Sequence, residues 1–521
     1  MPEKHFAITK MAKNWVLYKK LHKWPGLIIS CMLLYYAISG IFMNHRSLFS
    51  ALDLNRNLLP GIYQYNNWNN AALKGNLILN RDSILVYGNI GIWMTDSAFQ
   101  EYTSWNSGFA KGTDNLKVSD VLQAQDGNIY ATTLFGLYGW NKEDRAWYKL
   151  NTGDGRERFT GLSCIGDTLY ALSRSHLFKG RSNGIHSAMR RIEIPAPEGY
   201  QRKVSLFQTV WQIHSGEILG LPGQLVVDIL GAITAFLSVT GIIYFFFPGW
   251  IKSRFQRNID AVKLVSINKW SLKWHNEIGA WTFLLLILLF FTGMFLRPPL
   301  LLAIAKAELA PLRYSHLDQP NPWYDKLRGI LYDTDQKTFL LATSEGLYRM
   351  DPGNLIPGIF QNQPPVSVMG INTLVTFQNG AYLIGSFSGL FLWHPDKPEV
   401  FNFATGGPYQ EESSGRPVGD YKVTGVLWDN RGHIYLADYD KGIVPMWHRE
   451  TFPRMPENVL KSSKISLWNV CLEIHTGRIF QGILGDFYML LVPLVGITGT
   501  TVVLSGYLLW RKKYRKKTEK V

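Results

Sequence analysis

The chain has 521 residues, a formal net charge of +15, three cysteines and 14% aromatic residues. That length holds several domains, and aromatic residues gathered around apolar runs point to a membrane protein rather than a soluble one. The basic excess sits beside the apolar runs and forms no separate basic domain, which argues against nucleic acid as a partner; Cys31, Cys164 and Cys471 include no close pair, which argues against a disulfide framework or a thiolate metal site.

In chain order, four stretches are long and apolar enough to span a bilayer, which takes ~20 residues: Gly26 to Met43, Leu225 to Phe247, Ile278 to Leu296, and Leu484 to Trp510 after trimming. The first follows a basic stretch without a convincing small-residue cleavage site and is expected to be an uncleaved anchor. Residues 1–26, 248–275 and 511–521 together carry +16, so the two long polar segments between spans are about neutral. Positive residues favour the cytoplasmic side, so both termini and the middle loop are expected there and both inserts on the opposite side. The expected organisation is residues 1–46 (cytoplasmic N-terminus and span 1), 47–204 (β insert 1), 205–248 (interfacial segment and span 2), 249–274 (cytoplasmic loop), 275–300 (span 3), 301–464 (β insert 2) and 465–521 (interfacial segment, span 4 and basic tail).

The chain is written twice. "LHKWPGLIISCMLLYYAISGIF" and "WHNEIGAWTFLLLILLFFTGMF" align without a gap from His22 and His275, placing Gly26 opposite Gly279 and Gly40 opposite Gly293. "IHSG" at His214 aligns with "IHTG" at His475; after a three-residue gap Asp228, Thr240 and Gly241 align with Asp486, Thr498 and Gly499. Two spans per repeat give both halves the same orientation, with an expected pseudo-twofold axis along the membrane normal. That axis brings His22 toward His275 and His214 toward His475.

The inserts carry a shorter rhythm. "GNIYATTLFGLYGW", "KTFLLATSEGLYRM", "GAYLIGSFSGLFLW" and "GHIYLADYDKGIVPMW" each read as an alternating strand, a turn and a second aromatic strand, with weaker copies at "SILVYGNIGIW" and "DTLYALSRSHLF". The turn positions Gly91, Gly136 and His176, then Gly346, Gly389 and Gly442, step by 45 and 40, then 43 and 53 residues. These spacings suit propeller blades of ~40–45 residues. The fold expected is therefore a membrane protein with an α-helical four-span bundle from two parallel repeats and an all-β propeller-like periplasmic domain of about three blades per insert.

Four repeated imidazoles at the bundle's two rims invite a ligand reading. A histidine at a span end is often an interfacial anchor, and duplication copies structural residues as faithfully as functional ones. Two pairs, one per face, are nevertheless what two six-coordinate haems require, since each iron takes one axial ligand from either side. Gly26 and Gly279, one turn from His22 and His275, are expected to leave room for a flat macrocycle, and the 18 residues from His22 to Gly40 rise ~27 Å. Zinc or copper fits less well, because no third or fourth ligand recurs nearby.

The motifs "LHKWPGLIIS...AISGIFMNH", "IHSGEILG...SVTGIIYFF" and "IHTGRIFQG...GITGTTVVLSGYLLW" resemble the PepSY-associated transmembrane family, which includes inner-membrane ferric-siderophore reductases of Gram-negative bacteria. The resemblance covers the spans and their flanks, about a third of the chain, while the inserts show no clear PepSY domain. It implies two bis-histidine b-type haems on His22, His275, His214 and His475 and electron transfer across the inner membrane to a periplasmic ferric siderophore or other iron chelate. No flavin or nicotinamide fingerprint appears in the cytoplasmic segments, so the expected donor is a quinol or a separate cytoplasmic reductase. Arg46 and Arg297 are candidates to pair with haem propionates. His45 is an alternative outer ligand or substrate contact, which leaves a pairing within one half open. Asp228 and Asp486 are candidate proton acceptors or helix-start residues, and Thr240 and Thr498 are expected to serve helix packing. The rival readings are a periplasmic ligand-binding or sensory protein on a non-redox anchor, and a transporter, which would want more polar residues at mid-span.

Overall fold

The computed structural model describes residues 2–153, 157–367, 370–409 and 419–518, so Glu519 of the basic tail lies outside them. The chain forms two compact units: residues 1–49, 202–318 and 468–521 build a helical unit, and residues 50–201 and 319–467 a β unit.

The helical unit contains α1 (Pro2–Asn44), α2 (Leu206–Ser215), α3 (Gly220–Gln256) and α4 (Val262–Met294). It ends with α5 (Leu467–His475) and α6 (Leu491–Thr518). Four stretches, Trp15–Asn44, Glu217–Gln256, Val262–Met294 and Arg478–Lys513, are long and apolar enough to cross a membrane, which makes the lipid bilayer their solvent. α1 and α4 each pack against both α3 and α6, so they face one another across the bundle's diagonal. Small residues permit the close approach: a Cβ on Gly231 would meet Ile41 at 3.2 Å, and one on Gly496 would meet Met294 at 2.6 Å.

Three boundaries differ from those expected. Residues 249–274 are helical except around 257–261, because hydropathy sees only the part of a helix within the bilayer and not its basic continuation, here "IKSRFQ" and "VKLVSINK". The final long helix begins at Leu491 rather than Leu484; Gly485, with φ of 53°, separates it from the short helix Gln481–Leu484. Insert 2 joins the β unit at 319 rather than 301, since Glu308–Leu309 pairs with Val204–Ser205 and ties that segment to the start of α2.

Among the described residues, the β unit contains six antiparallel meanders, three from each insert. The first comprises Gly75–Ile78, Ile84–Gly88, Gly91–Thr95 and Tyr102–Ser104; the others span 118–149, 159–192, 327–359, 371–408 and 423–446. Among the described residues five have four or five strands and the last has three. The tight turn after the second strand is made at Gly91, Gly346, Gly389 and Gly442 by positive φ, which a side chain resists. Each sheet packs on the next through its own buried cluster, and the sixth packs on the first through Ile84, Val86, Leu427 and Tyr435.

Polar cross-links reinforce these seams. Asn76 and Trp428 exchange two hydrogen bonds of 2.8 and 2.9 Å between the first and sixth sheets. Tyr382 donates to Asp333 between the fourth and fifth, and Asn372 to the Val423 carbonyl between the fifth and sixth. Asp120 links three sheets: it accepts Tyr87 Oη at 3.3 Å and the Leu162 N–H at 2.8 Å. Burial pushes its carboxyl up to about 6, against the opposing pull of those donors. With a folded pKa above the unfolded one, Asp120 contributes stability that is present below about pH 4 and lost as pH rises through about 6. Asp120→Asn, neutral at every pH and still able to accept the Leu162 N–H, is expected to raise stability at pH 7 by on the order of 1–3 kcal/mol and to flatten the profile between pH 4 and 6. Urea titration of the purified protein across that range checks it.

Candidate functional site

The four repeated histidines meet in two pairs. The ring centres of His22 and His275 are 6.0 Å apart with planes crossing at 75°, and those of His214 and His475 are 6.1 Å apart at 54°. The first pair joins the diagonal helices α1 and α4; the second comes from the last turns of the short helices α2 and α5. Gly216 (φ 79°) and Gly477 (φ 73°), each two residues after its histidine, take the left-handed conformation that ends the helix there. This is the physical content of the repeated "IHSG" and "IHTG".

Each imidazole is held by its Nδ1. His22 donates to the Val502 carbonyl at 2.9 Å, His214 to Leu289 at 3.0 Å, and His475 to Tyr36 at 3.0 Å. His275 bonds Thr240 Oγ1 at 3.0 Å, a hydroxyl that itself donates to the Phe236 and Leu237 carbonyls and so accepts from the ring. A carbonyl only accepts, so Nδ1 carries the proton and Nε2 keeps its lone pair. Both His214 and His475 lie outside the four spans; burial pushes them down, His475 to about 4 with His214 adding to the effect, so both are neutral bases.

Against each ring stands a Ser/Thr–Gly pair on another helix. The Cβ absent from Gly506 would lie 2.7 Å from His22 Cε1, that of Gly241 3.4 Å from His275, that of Gly293 2.7 Å from His214, and that of Gly40 3.1 Å from His475. The preceding residues Thr240, Thr292 and Ser39 bond the same Nδ1 atoms at 3.0, 3.3 and 3.1 Å, while Ser505 bonds the Val502 carbonyl that His22 uses. A Cβ added to Gly26 or Gly279 would instead meet Val502 or Leu237, at 3.5 and 3.8 Å. Thr240 is therefore an imidazole partner and not merely a packing residue. Its counterpart in the second half is Ser505, not Thr498, whose neighbour Gly499 packs on Phe290. The helical register thus runs seven residues beyond the sequence alignment, two turns that preserve the same face.

Asp228 and Asp486 are not equivalent either: Asp228 sits within α3, and Asp486 in the turn Gly485–Leu490 before α6. Asp228 accepts from His45 at 2.6 Å and from Asn44 at 2.9 Å, and Asn44 also reaches the Ser215 carbonyl beside His214. His45 is thus engaged with Asp228, and the structure pairs the outer histidines between halves. Arg46 stacks 3.6 Å over the Trp468 ring, and Arg297 lies 5.9 Å from that of Tyr488. Around the second pair, Tyr36 Oη, Gln212 Oε1 and Arg297 Nε are buried without hydrogen-bond partners among the described residues; Asn268 Oδ1 and Ser271 Oγ, seven and four residues before His275, are the same. Of these, Arg297 was a candidate in the sequence and Thr240 was expected to serve packing; Tyr36, Gln212, Asn268 and Ser271, like the partners Ser39, Thr292 and Ser505, were not read from it, and the recurring Ser/Thr–Gly dipeptide was the available signal.

The PepSY-associated TM region matches residues 3–247 and 250–513, and the chain belongs to that family. It is a multi-pass membrane protein with a β-rich unit. No curated protein matches the chain. Among solved structures, the extracellular domain of a hybrid two-component system of Bacteroides thetaiotaomicron is similar at 11% identity and a TM-score of 0.36, over 76% of this chain and 35% of that one. A protein of unknown function from the same organism is similar at 9% identity and a TM-score of 0.36, over 72% of this chain and 69% of that one. The chain spans about a third of the length of the first of these, and likeness at this level bears on neither function nor detailed fold.

The glycine contacts give a ranked expectation. Gly293→Ala and Gly506→Ala force a ring or helix to move and are expected to destabilise by about 1–3 kcal/mol, whereas Gly241→Ala, with 3.4 Å available, is expected to be close to neutral. Thermal unfolding in detergent measures the order.

Proposed function

We propose that the chain is a dihaem oxidoreductase of the bacterial inner membrane that passes electrons across the bilayer to a periplasmic acceptor, a ferric siderophore or other iron chelate. The observation that carries the reading is the pair of imidazole spacings, 6.0 and 6.1 Å. Two imidazoles that bond one first-row metal from opposite sides at about 2 Å each have centres on the order of 6 Å apart. His22 with His275, and His214 with His475, are the residues to hold the two b-type haems.

The chain's chemistry fits that group in two further ways. Nδ1–H bonds to carbonyls fix the tautomer and orientation and raise the basicity of Nε2, the usual outer-shell support of a ligating histidine. The orphaned polar atoms at both pairs include donors suited to porphyrin carboxylates: Arg297 and Tyr36 at one, Ser271 at the other. When bound, haem supplies reversible one-electron oxidation and reduction, with a potential tuned by axial ligand, burial and nearby charge. The residues' part is to hold the two sites 18 helical positions apart on both α1 and α4, about 27 Å of rise.

In this reading the basic flanks face the cytoplasm, the inserts are periplasmic, and the β unit is a six-bladed propeller that positions the acceptor. The sequence of six seams, with the sixth sheet on the first, supports the propeller. A quinol or a separate cytoplasmic reductase supplies the electrons.

Purified protein loaded with haem is expected to hold two per chain and to show a reduced spectrum of six-coordinate b-type haem after dithionite. His475→Ala and His214→Ala are each expected to lower the content to one, leaving the His22/His275 site filled. Two haems retained in both variants would reject the pairing.

A further inference from the structure

In the β unit, away from the imidazole pairs, three chain positions converge at the turn between Val423–Trp428 and Ile434–Asp438. Asp429 Oδ2, His433 Nδ1 and a Glu450 carboxylate oxygen lie within 4.8 Å of one another. His433 Nδ1 is 2.9 Å from Asp429 Oδ2 and 3.7 Å from Glu450 Oε2. Ligand atoms bound at about 2 Å to one metal ion stand roughly 3 Å apart, so small side-chain adjustments suffice.

The cluster is organised beforehand. Asp429 Oδ1 accepts the Arg431 and His433 N–H groups at 2.9 and 2.8 Å, which fixes the carboxylate and leaves Oδ2 on the cluster side. The His433 ring stacks on His448, centres 4.6 Å apart. His448 donates its Nε2–H to the Ile434 carbonyl at 3.0 Å, so its Nδ1 is a bare acceptor; that atom is buried and has no hydrogen-bond partner among the described residues. Neither an ion pair nor a capped turn accounts for an unfilled nitrogen acceptor on the ring stacked against His433. Water bound to a metal is a strong donor of the kind this nitrogen lacks.

We propose that Asp429, His433 and Glu450 form a binding site for a divalent first-row transition metal of the zinc or ferrous class, with His448 accepting from a metal-bound water. The imidazole excludes calcium and magnesium, which prefer all-oxygen shells, and two carboxylates with one imidazole suit zinc and ferrous iron better than cuprous ions. Arg431 competes for the site: its Nη1 lies 3.1 and 3.3 Å from the two Glu450 oxygens. Both side chains are more than half exposed, and an ion pair of that kind is worth only ~0–1 kcal/mol, so a metal displaces it. The site is independent of the haem reading.

Equilibrium dialysis of the full-length protein as purified against Zn2+, with metal counted by atomic emission, tests the proposal. Wild type is expected to retain one more zinc than Asp429→Asn, which keeps the oxygen that caps the turn, and one more than Glu450→Gln, which alters an exposed side chain. Arg431→Gln is expected to tighten binding by up to about 5-fold, the equivalent of ~1 kcal/mol. Equal zinc in wild type and both carboxylate variants overturns the site, and zinc retained by Glu450→Gln but lost by Asp429→Asn overturns Glu450 as a ligand.

Discussion

An imidazole Nδ1 held by a backbone carbonyl, or by Thr240 Oγ1 in the case of His275, beside a glycine whose missing Cβ admits the ring, recurs four times in the described helical bundle. Everything proposed for the bundle rests on this unit. It fixes which nitrogen bears the proton, sets the ring against a rigid helix, and leaves one lone pair uncommitted. A larger residue at Gly506 or Gly293 would occupy the imidazole's own place, and a helix shifted by one residue would turn the carbonyl away. The duplication supplies the unit twice at each level, so the rings meet as pairs.

The β unit solves a different problem. Six short meanders each leave two faces to cover, and each face is covered by the neighbouring sheet rather than by a common core. Polar residues at the seams, Asp120 above all, then become buried links between sheets, satisfied but costly when ionised. The first and last seams lie far apart in sequence, Asn76 with Trp428, so neither insert completes its packing alone. That interdependence explains why two inserts separated by a helical hairpin form one compact unit.

Much of this was legible in the sequence, because duplication makes equivalent residues visible by comparison within one chain. The four histidines, Gly40 and Gly293, and three strand repeats per insert were all read from it. The register of the last helix was not: "GITGTTVVLSGYLLW" contains both Thr498–Gly499 and Ser505–Gly506, seven residues apart, and two helical turns restore nearly the same face. Only the contact of Gly506 with His22 distinguishes them. Helix ends beyond the bilayer escaped because basic residues erase the hydropathy signal without ending the helix. Asp429, His433 and Glu450 escaped because they belong to no repeat, and their convergence depends on a turn and on the chain's return after the last strand.

The most direct test of the paired imidazoles is electron paramagnetic resonance of the oxidised, haem-loaded protein. Ring planes crossing at 75° in one pair and 54° in the other predict two distinct low-spin ferric signals of equal intensity, one lost on replacing His214 and the other on replacing His22. A high-spin spectrum in the unaltered protein, or a single low-spin centre, would contradict the account.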